Sequence, residues 1–300
     1  MSKWDKEYLK LCKKILTEGV EVENRTGTNT IKIPSYHFHF DFEEEFPVLT
    51  TKQLFFRQAI LEMLWIYQVG SNDVRWLQDR DVHIWDEWEI DENGKWTAEQ
   101  LVLNDEGKLE KQIIEKQFDP KYAHTIGTAY GYIVNKFDLM NKLIDSLKHN
   151  GNDRRRVISL WQDDYLATAV LPSCVWSSEW DVTDGKLNAW VHQRSCDVPL
   201  GLPFNVTQYS VLLHMLAQVT GLKPGTLDWS IKDAHIYVNQ VEGIKEQIRR
   251  GEELEDLPAP TLWLNPEIAD FYDFDNSKEC KDVKVLSYRH HGKIRFPLAR

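Results

Sequence analysis

The 300-residue sequence has no Cys-x-x-Cys pair and only four cysteines, Cys12, Cys174, Cys196 and Cys280. This spacing supports neither a zinc site nor a disulfide framework, and the expectation is free thiols in a reducing compartment. No run of eighteen apolar residues occurs, so no membrane span is expected. The opening MSKWDKEYLKLCKKIL is charged throughout and has no apolar core of a secretion signal, which predicts a cytoplasmic location. Positive charge is in deficit, with 36 Lys and Arg against 47 Asp and Glu and a net charge of −11. A nucleic-acid groove is therefore not expected. An anionic small substrate would need a local cluster of arginines, because the global field repels it.

What remains is an ordinary globular composition, with 42% hydrophobic and 28% charged residues in a chain long enough to bury a large core. Leu9, Leu11, Ile15 and Leu16 predict an amphipathic helix over 3–18. TIKIPSYHFHFDF at 30–42 alternates as a strand does, with Tyr36, Phe38, Phe40 and Phe42 on one face and His37 and His39 on the other. The H-x-H pair has no Cys/His cluster beside it, so a plain strand face is expected and no metal. KQLFFRQAILEMLWIYQV at 52–69 reads as a largely buried helix, and about 89–123 reads as a small polar insertion. Further expectations are a helix at 133–148 and strands at 155–161, 175–182 and 186–194, with Asp184-Gly185 as a hairpin turn. A helix at 206–220 stopped by Gly221, a strand at 233–238, a helix at 239–250 and a strand in the tail complete the reading. The fold class expected is α/β of the α+β type: one domain, 1–300, with a mixed β-sheet packed against helices.

Several residues break these patterns. Glu62 lies among Ile60, Leu61, Met63, Leu64 and Ile66. It is either on a narrow polar stripe with Gln58 or a proton-handling carboxyl in a cavity. Arg194, Ser195 and Asp197 crowd a strand end in QRSCDVPLGLPFN; a planar Arg beside a hydroxyl suits phosphate, although a surface loop is the plainer reading. Asn205 precedes the predicted helix 206–220 and has N-cap as its ordinary role. Its amide also carries the donor and acceptor that a uracil edge needs. Arg154, Arg155 and Arg156 precede VISLW as a basic run. His235 and Tyr237, two apart on a strand, share a face, and Arg25 stands in a turn-like stretch.

Taken together, in order along the chain, these pieces resemble the thymidylate synthase family. The motifs are RTGT at 25–28, FPVLTTK at 46–52, EMLW at 62–65, IWDEW at 84–88, the Arg pair at 154–155, LPSC at 171–174, RSCDVPLGLPFN at 194–205 and DAHIY at 233–237. They span nearly the whole sequence, and the RSCDVPLGLPFN segment with its upstream Cys is highly specific.

The resemblance implies a reductive methylation of dUMP to dTMP, with 5,10-methylenetetrahydrofolate as one-carbon donor and reductant and no metal. Cys174 is then the nucleophile at pyrimidine C6, its thiol lowered in pKa by nearby arginines. Glu62 and Tyr130 serve a polar network for proton transfers. Asn205 reads the uracil, Arg25, Arg194, Ser195 and the Cys196 segment hold the nucleotide, and His235 and Tyr237 meet the ribose. Asp197 meets the pterin, in a folate site with Trp85, Trp88, Leu200, Phe204 and Ala299. Arg154 and Arg155 match the pair that reaches the neighbouring subunit's site, which implies a homodimer; Arg156 is left out.

The sequence departs from the common family pattern at Val175, Phe55, Pro199 and the terminal Arg300. The nearest rival is a dUMP hydroxymethylase of the same fold, against which Trp85 argues. A cytosine-specific version is expected to carry Asp at 205. A non-catalytic nucleotide binder has no need of a thiol such as Cys174.

Overall fold

The computed structural model describes residues 1–103, 109–149 and 151–299. The chain begins with helix α1 (Lys3–Glu18), whose buried side includes Trp4, Tyr8, Leu11 and Ile15, as the spacing predicts. Strands β1 (Val20–Val22) and β2 (Thr30–Asp41), helix α2 (Phe56–Tyr67) and the single turn α3 (Arg75–Gln78) follow. The polar segment after α3 contains a hairpin of β3 (Lys95–Leu103) and β4 (Leu109–Gln117), with a small cluster of buried residues, Ile90, Trp96, Ala98, Phe118 and Val170. Its residues 104–108 lie outside the described residues, as does Arg300. Next come α4 (Gly131–Lys136), α5 (Leu139–His149), β5 (Val157–Ser159), α6 (Asp163–Leu166), β6 (Val175–Thr183), β7 (Lys186–Gln193) and the two-residue β8 (Cys196–Asp197). Helix α7 (Gly201–Thr220), strand β9 (Lys223–Tyr237), α8 (Val241–Glu253) and the pair β10 (Thr261–Leu264) and β11 (Val283–Leu286) complete the chain.

The main sheet runs β1-β2-β9-β7-β6-β5, with β8 alongside β9. β7 and β8 run parallel to β9 while the other pairs are antiparallel, so the sheet is mixed, as expected. At the β6–β7 turn Asp184 and Gly185 both have positive φ, 51° and 72°, which is the geometry that matches strand twist in a two-residue hairpin. Helices α1 and α7 cover one face. α7 is buried nearly all round and α2 packs against it, as befits a helix in the core of a large domain.

Three expectations are corrected. The helix predicted at 133–148 is two helices, α4 and α5, broken at Asp138, whose φ of 52° is left-handed. The strand predicted at 233–238 begins ten residues earlier, at Lys223. Pro224 and Gly225 hide it in the sequence, and they sit at a register shift opposite Leu187–Ala189 where a Cβ on residue 225 would meet Asn188 Oδ1 at 2.2 Å. The helix predicted from 206 starts at Gly201. Pro203 sits in its first turn, where a missing N–H costs nothing. Asn205 is therefore inside the helix, and the N-cap position is Leu200.

Helix α1 also props the loops that carry the site. Asp5 accepts from the backbone N–H of Thr50 at 2.9 Å and of Thr51 at 3.0 Å, and from both threonine hydroxyls at 2.7 Å. This anchors the TTK segment, and Lys52 then donates to the Pro199 carbonyl. Tyr8 donates to the neighbouring Val198 carbonyl at 3.3 Å.

Candidate active site

Strand pairing brings Cys174 and Arg194 together. Val175 of β6 lies opposite Gln193 of β7, and one step beyond, the Arg194 N–H donates to the Cys174 carbonyl at 2.9 Å. The Arg194 guanidinium is fixed by the carbonyls of Pro172 at 2.6 Å and Ser173 at 3.0 Å, which leaves Nη2 3.9 Å from the Cys174 Sγ. Trp161 lies under the guanidinium, 5.4 Å from ring centre to Cζ. Tyr130 accepts a hydrogen bond from the Cys174 N–H at 2.9 Å. Burial pushes the Cys174 thiol up, outweighing Arg194, Tyr130 and Arg25, which pull it down. The arginines pull the thiol down in the expected direction, and desolvation outweighs them.

Cys174 opens into a cavity of about 180 Å³, whose wall includes Glu62, Trp85, Tyr130, Ser195, Asp197 and Asn205. Glu62 is in the cavity and not on a polar stripe. It accepts from Trp85 Nε1 at 2.8 Å and from Gln208 Nε2 at 2.6 Å. Burial pushes its carboxyl up to about 7, and these two donors hold it from rising further. Asn205, five residues into α7, meets Gln193 and Gln208, each at 3.2 Å. Trp85 packs edge-on against Tyr130 and against Trp88, with 5.4 Å between ring centres in each case.

The short parallel pair β8–β9 sets Asp197 beside His235. The Asp197 carboxylate accepts from Leu200 N–H at 3.1 Å and from Gln240 Nε2 at 3.2 Å, and burial pushes it up. His235 and Tyr237 share a face as predicted, with ring centres 5.2 Å apart. Nδ1 of His235 is engaged by Asp233, whose carboxyl the His235 bond and Lys32 hold down to about 2. Arg25 is exposed on its turn, close enough for its charge to act on both Cys174 and Tyr237.

Other candidates lie apart. Cys196 is fully buried and its thiol is pushed well up, so only its backbone is available to a ligand. Arg154 and Arg155 are exposed and do not line the cavity of their own chain, whereas Arg156 is a buried brace onto Ser146 at 2.9 Å. Leu200 and Phe204 are half-buried at the start of α7. Ala299 is half-buried in a tail held by a 3.0 Å bond from Gln240 to the Pro297 carbonyl. His37 and His39 both bond Asp228 on the exposed sheet face. No cluster of three metal-ligating side chains occurs among the described residues. A second groove, lined by Lys3, Trp4, His37, His39 and Glu44 among others, holds no nucleophile.

Sequence reading missed Gln193, Gln208 and Gln240. Gln208 carried the same signal as Glu62, a polar side chain inside an apolar helical run, while Gln193 and Gln240 carried none that marks them out.

A thymidylate synthase family profile matches residues 6–300. The chain belongs to the thymidylate synthase family. It is 45% identical to the thymidylate synthase of Clostridium beijerinckii over 299 residues, and 36% identical to thymidylate synthase 1 of Bacillus subtilis over 318 residues, in each case over the full length of both. Among solved structures it resembles the thermostable thymidylate synthase A from Bacillus subtilis, with a TM-score of 0.81, 34% identity and full coverage of both chains. Membership makes the chain a methyltransferase acting on dUMP with methylenetetrahydrofolate as co-substrate. No helix of the described residues is long and apolar enough to cross a membrane.

Proposed function

We propose that the enzyme converts dUMP to dTMP through a covalent bond from Cys174 Sγ to pyrimidine C6. The observation that carries this is the half-buried Cys174 thiol, 3.9 Å from Arg194 Nη2, in one cavity with Asn205 and Glu62. Carbon 5 of uracil is a weak nucleophile. A thiolate at C6 makes it enolate-like, and Glu62, poised about neutrality, is matched to moving a proton at O4 and C5. Asn205 offers N–H to O4 and a carbonyl to N3–H. Arg194, Ser195 and Arg25 take the phosphate, and His235 and Tyr237 take the ribose.

The folate supplies the one-carbon unit and the hydride. The wall beside the cavity fits it: Asp197 offers a carboxylate, and Trp85, Trp88, Leu200 and Phe204 offer apolar surface. Trp85 and the tail that carries Ala299 keep water off the reacting carbon. We further propose that about 89–123 is a small unit inserted in a single domain, that the enzyme works in the cytoplasm, and that it is a homodimer in which Arg154 and Arg155 reach the neighbouring phosphate. The exposed position of these arginines, away from the cavity of their own chain, supports that last reading.

Trapping with 5-fluoro-dUMP and methylenetetrahydrofolate tests the central claim. Peptide mass spectrometry should find the adduct on Cys174 alone, and Cys174→Ser should lose turnover while still binding dUMP. An adduct on another residue, or none, sinks the assignment.

A further inference from the structure

Trp161 has no part in the chemistry above, yet it lies against the arginine beside the thiol. The Arg194 Cζ sits over its ring, 5.4 Å from the ring centre. The indole comes from the segment between β5 and α6, whereas Arg194 follows β7 and Cys174 precedes β6. A half-buried side chain from a separate segment thus closes one face of the guanidinium.

The edge of that guanidinium is largely taken. Nε donates to the Ser173 carbonyl at 3.0 Å, and Nη2 donates to the Pro172 carbonyl at 2.6 Å and lies 3.9 Å from Cys174 Sγ. The N–H groups of Nη1 are left for an anion. Carbonyl oxygens accept over a broad range of directions, so these bonds fix the edge and leave the plane free to tilt. A ring against the face opposes that tilt. Guanidinium is weakly hydrated, so an aromatic ring covers its face at little cost. The ring is itself pinned: Trp161 Nε1 donates to Asp163 Oδ1 at 3.1 Å, and the Trp161 carbonyl accepts from Ser159 Oγ at 3.0 Å. Asp163 is the first residue of α6.

Tilt matters because one rigid fork serves two sides, the carbonyls and sulfur at Nε and Nη2, and the anion at Nη1. A loose fork must be ordered each time a phosphate binds, and that ordering weakens binding. A fork already held in plane avoids the loss. We infer that Trp161 is a positioning residue that holds the Arg194 guanidinium in the plane from which Nη1 meets the substrate phosphate. The inference rests on the reading of Arg194 as a phosphate ligand.

The test is the ratio of dissociation constants for deoxyuridine and dUMP, which differ only by the phosphate, measured by equilibrium competition. Trp161→Leu keeps apolar bulk but removes the ring face, and should shrink the wild-type preference for dUMP about tenfold. Trp161→Phe restores a face and should retain most of the wild-type ratio. A general loosening of the cavity weakens both ligands alike and leaves the ratio where it was. If Trp161→Leu does not fold, Asp163→Ala unpins the indole without removing it and should shrink the ratio in the same direction; an unchanged ratio there overturns the inference. A folded Trp161→Leu with an unchanged ratio overturns it too, as does an equal loss in Trp161→Phe, which is packing damage. Arg194→Ala separates the two levels. Loss of the phosphate preference there, without one in Trp161→Leu, leaves the phosphate ligand standing and removes only its support; no loss in Arg194→Ala removes both.

Discussion

Two opposed effects meet at the Cys174 sulfur: arginine charge favours the thiolate, and burial favours the thiol. Burial prevails and favours the thiol; if Cys174 is the nucleophile proposed above, its ionisation belongs to the substrate-bound state. Iodoacetamide should therefore alkylate Cys174 in the ligand-free enzyme at a rate still climbing as pH approaches 9, read from its tryptic peptide. A plateau below pH 8 would contradict this. Glu62 shows the same conflict with a thermodynamic consequence. Its carboxyl is raised from 4.5 to about 7 in the folded state, so folding favours the protonated form. That contribution is fully present below pH 4.5 and is lost as pH rises through about 7. The loss is on the order of 3 kcal/mol, taking each pKa unit as about 1.4. Glu62→Gln has no such titration. Its stability relative to wild type, from urea unfolding, should improve by about that amount between pH 4.5 and 8, while turnover falls by at least ~100-fold. A stability difference independent of pH would show that Glu62 is not the buried acid described.

At the scale of elements, the site depends on where segments start and turn. Tyr130 enters α4 at φ 48° and ψ −108°, a conformation that side-chain-bearing residues rarely adopt. Next to it, a Cβ on Gly131 would meet the Ser71 carbonyl oxygen at 2.0 Å. Backbone lies against backbone there, so neither side yields cheaply. Gly131→Ala should cost about 2–4 kcal/mol in urea unfolding and lower kcat by displacing the Tyr130 hydroxyl from the Cys174 N–H. An alanine variant of wild-type stability and rate would refute the close approach. The same elements mark what was legible in the sequence. Periodicity located α1 and β6–β7, because their apolar spacing is regular and Asp184-Gly185 announces the turn. The start of α7 was not legible, because Pro203 reads as a breaker while it occupies the one turn of a helix that tolerates it. Nor was the length of β9, whose Pro224 and Gly225 sit at a bulge. Glu62 declared itself by standing in an apolar run. Its partner Gln208, the same kind of anomaly one helix away, went unread because the late helix start hid which face Asn205 and Gln208 share.

At the scale of the molecule, one sheet face is packed under α1 and α7 and the other is bare. Trp176 and Trp190 are 37% and 47% exposed on it, and His192 lies against both, 5.8 and 5.6 Å between ring centres. Exposed tryptophans gathered on a flat surface are uncommon in a monomer, and a two-fold related copy of the same face is the simplest cover. Arg154 and Arg155 stand exposed near the β5 edge of that sheet, and Arg155 pairs with Asp153 at 2.9 Å. If they complete the neighbour's phosphate site, each active site in the dimer draws Cys174 from one subunit and the arginine pair from the other. Cys174→Ser and the double variant Arg154→Ala/Arg155→Ala should then both be nearly inactive alone. Unfolded together and refolded in equal amounts, they should recover about a quarter of wild-type turnover. Half of the randomly paired dimers are mixed, and each of those has one site with both the thiol and the arginines intact. Sites contained within one subunit would give no recovery on mixing, since each subunit carries its own lesion. Adding Trp190→Glu to both variants supplies the control: with the bare face charged, mixing should recover nothing, because the subunits no longer pair.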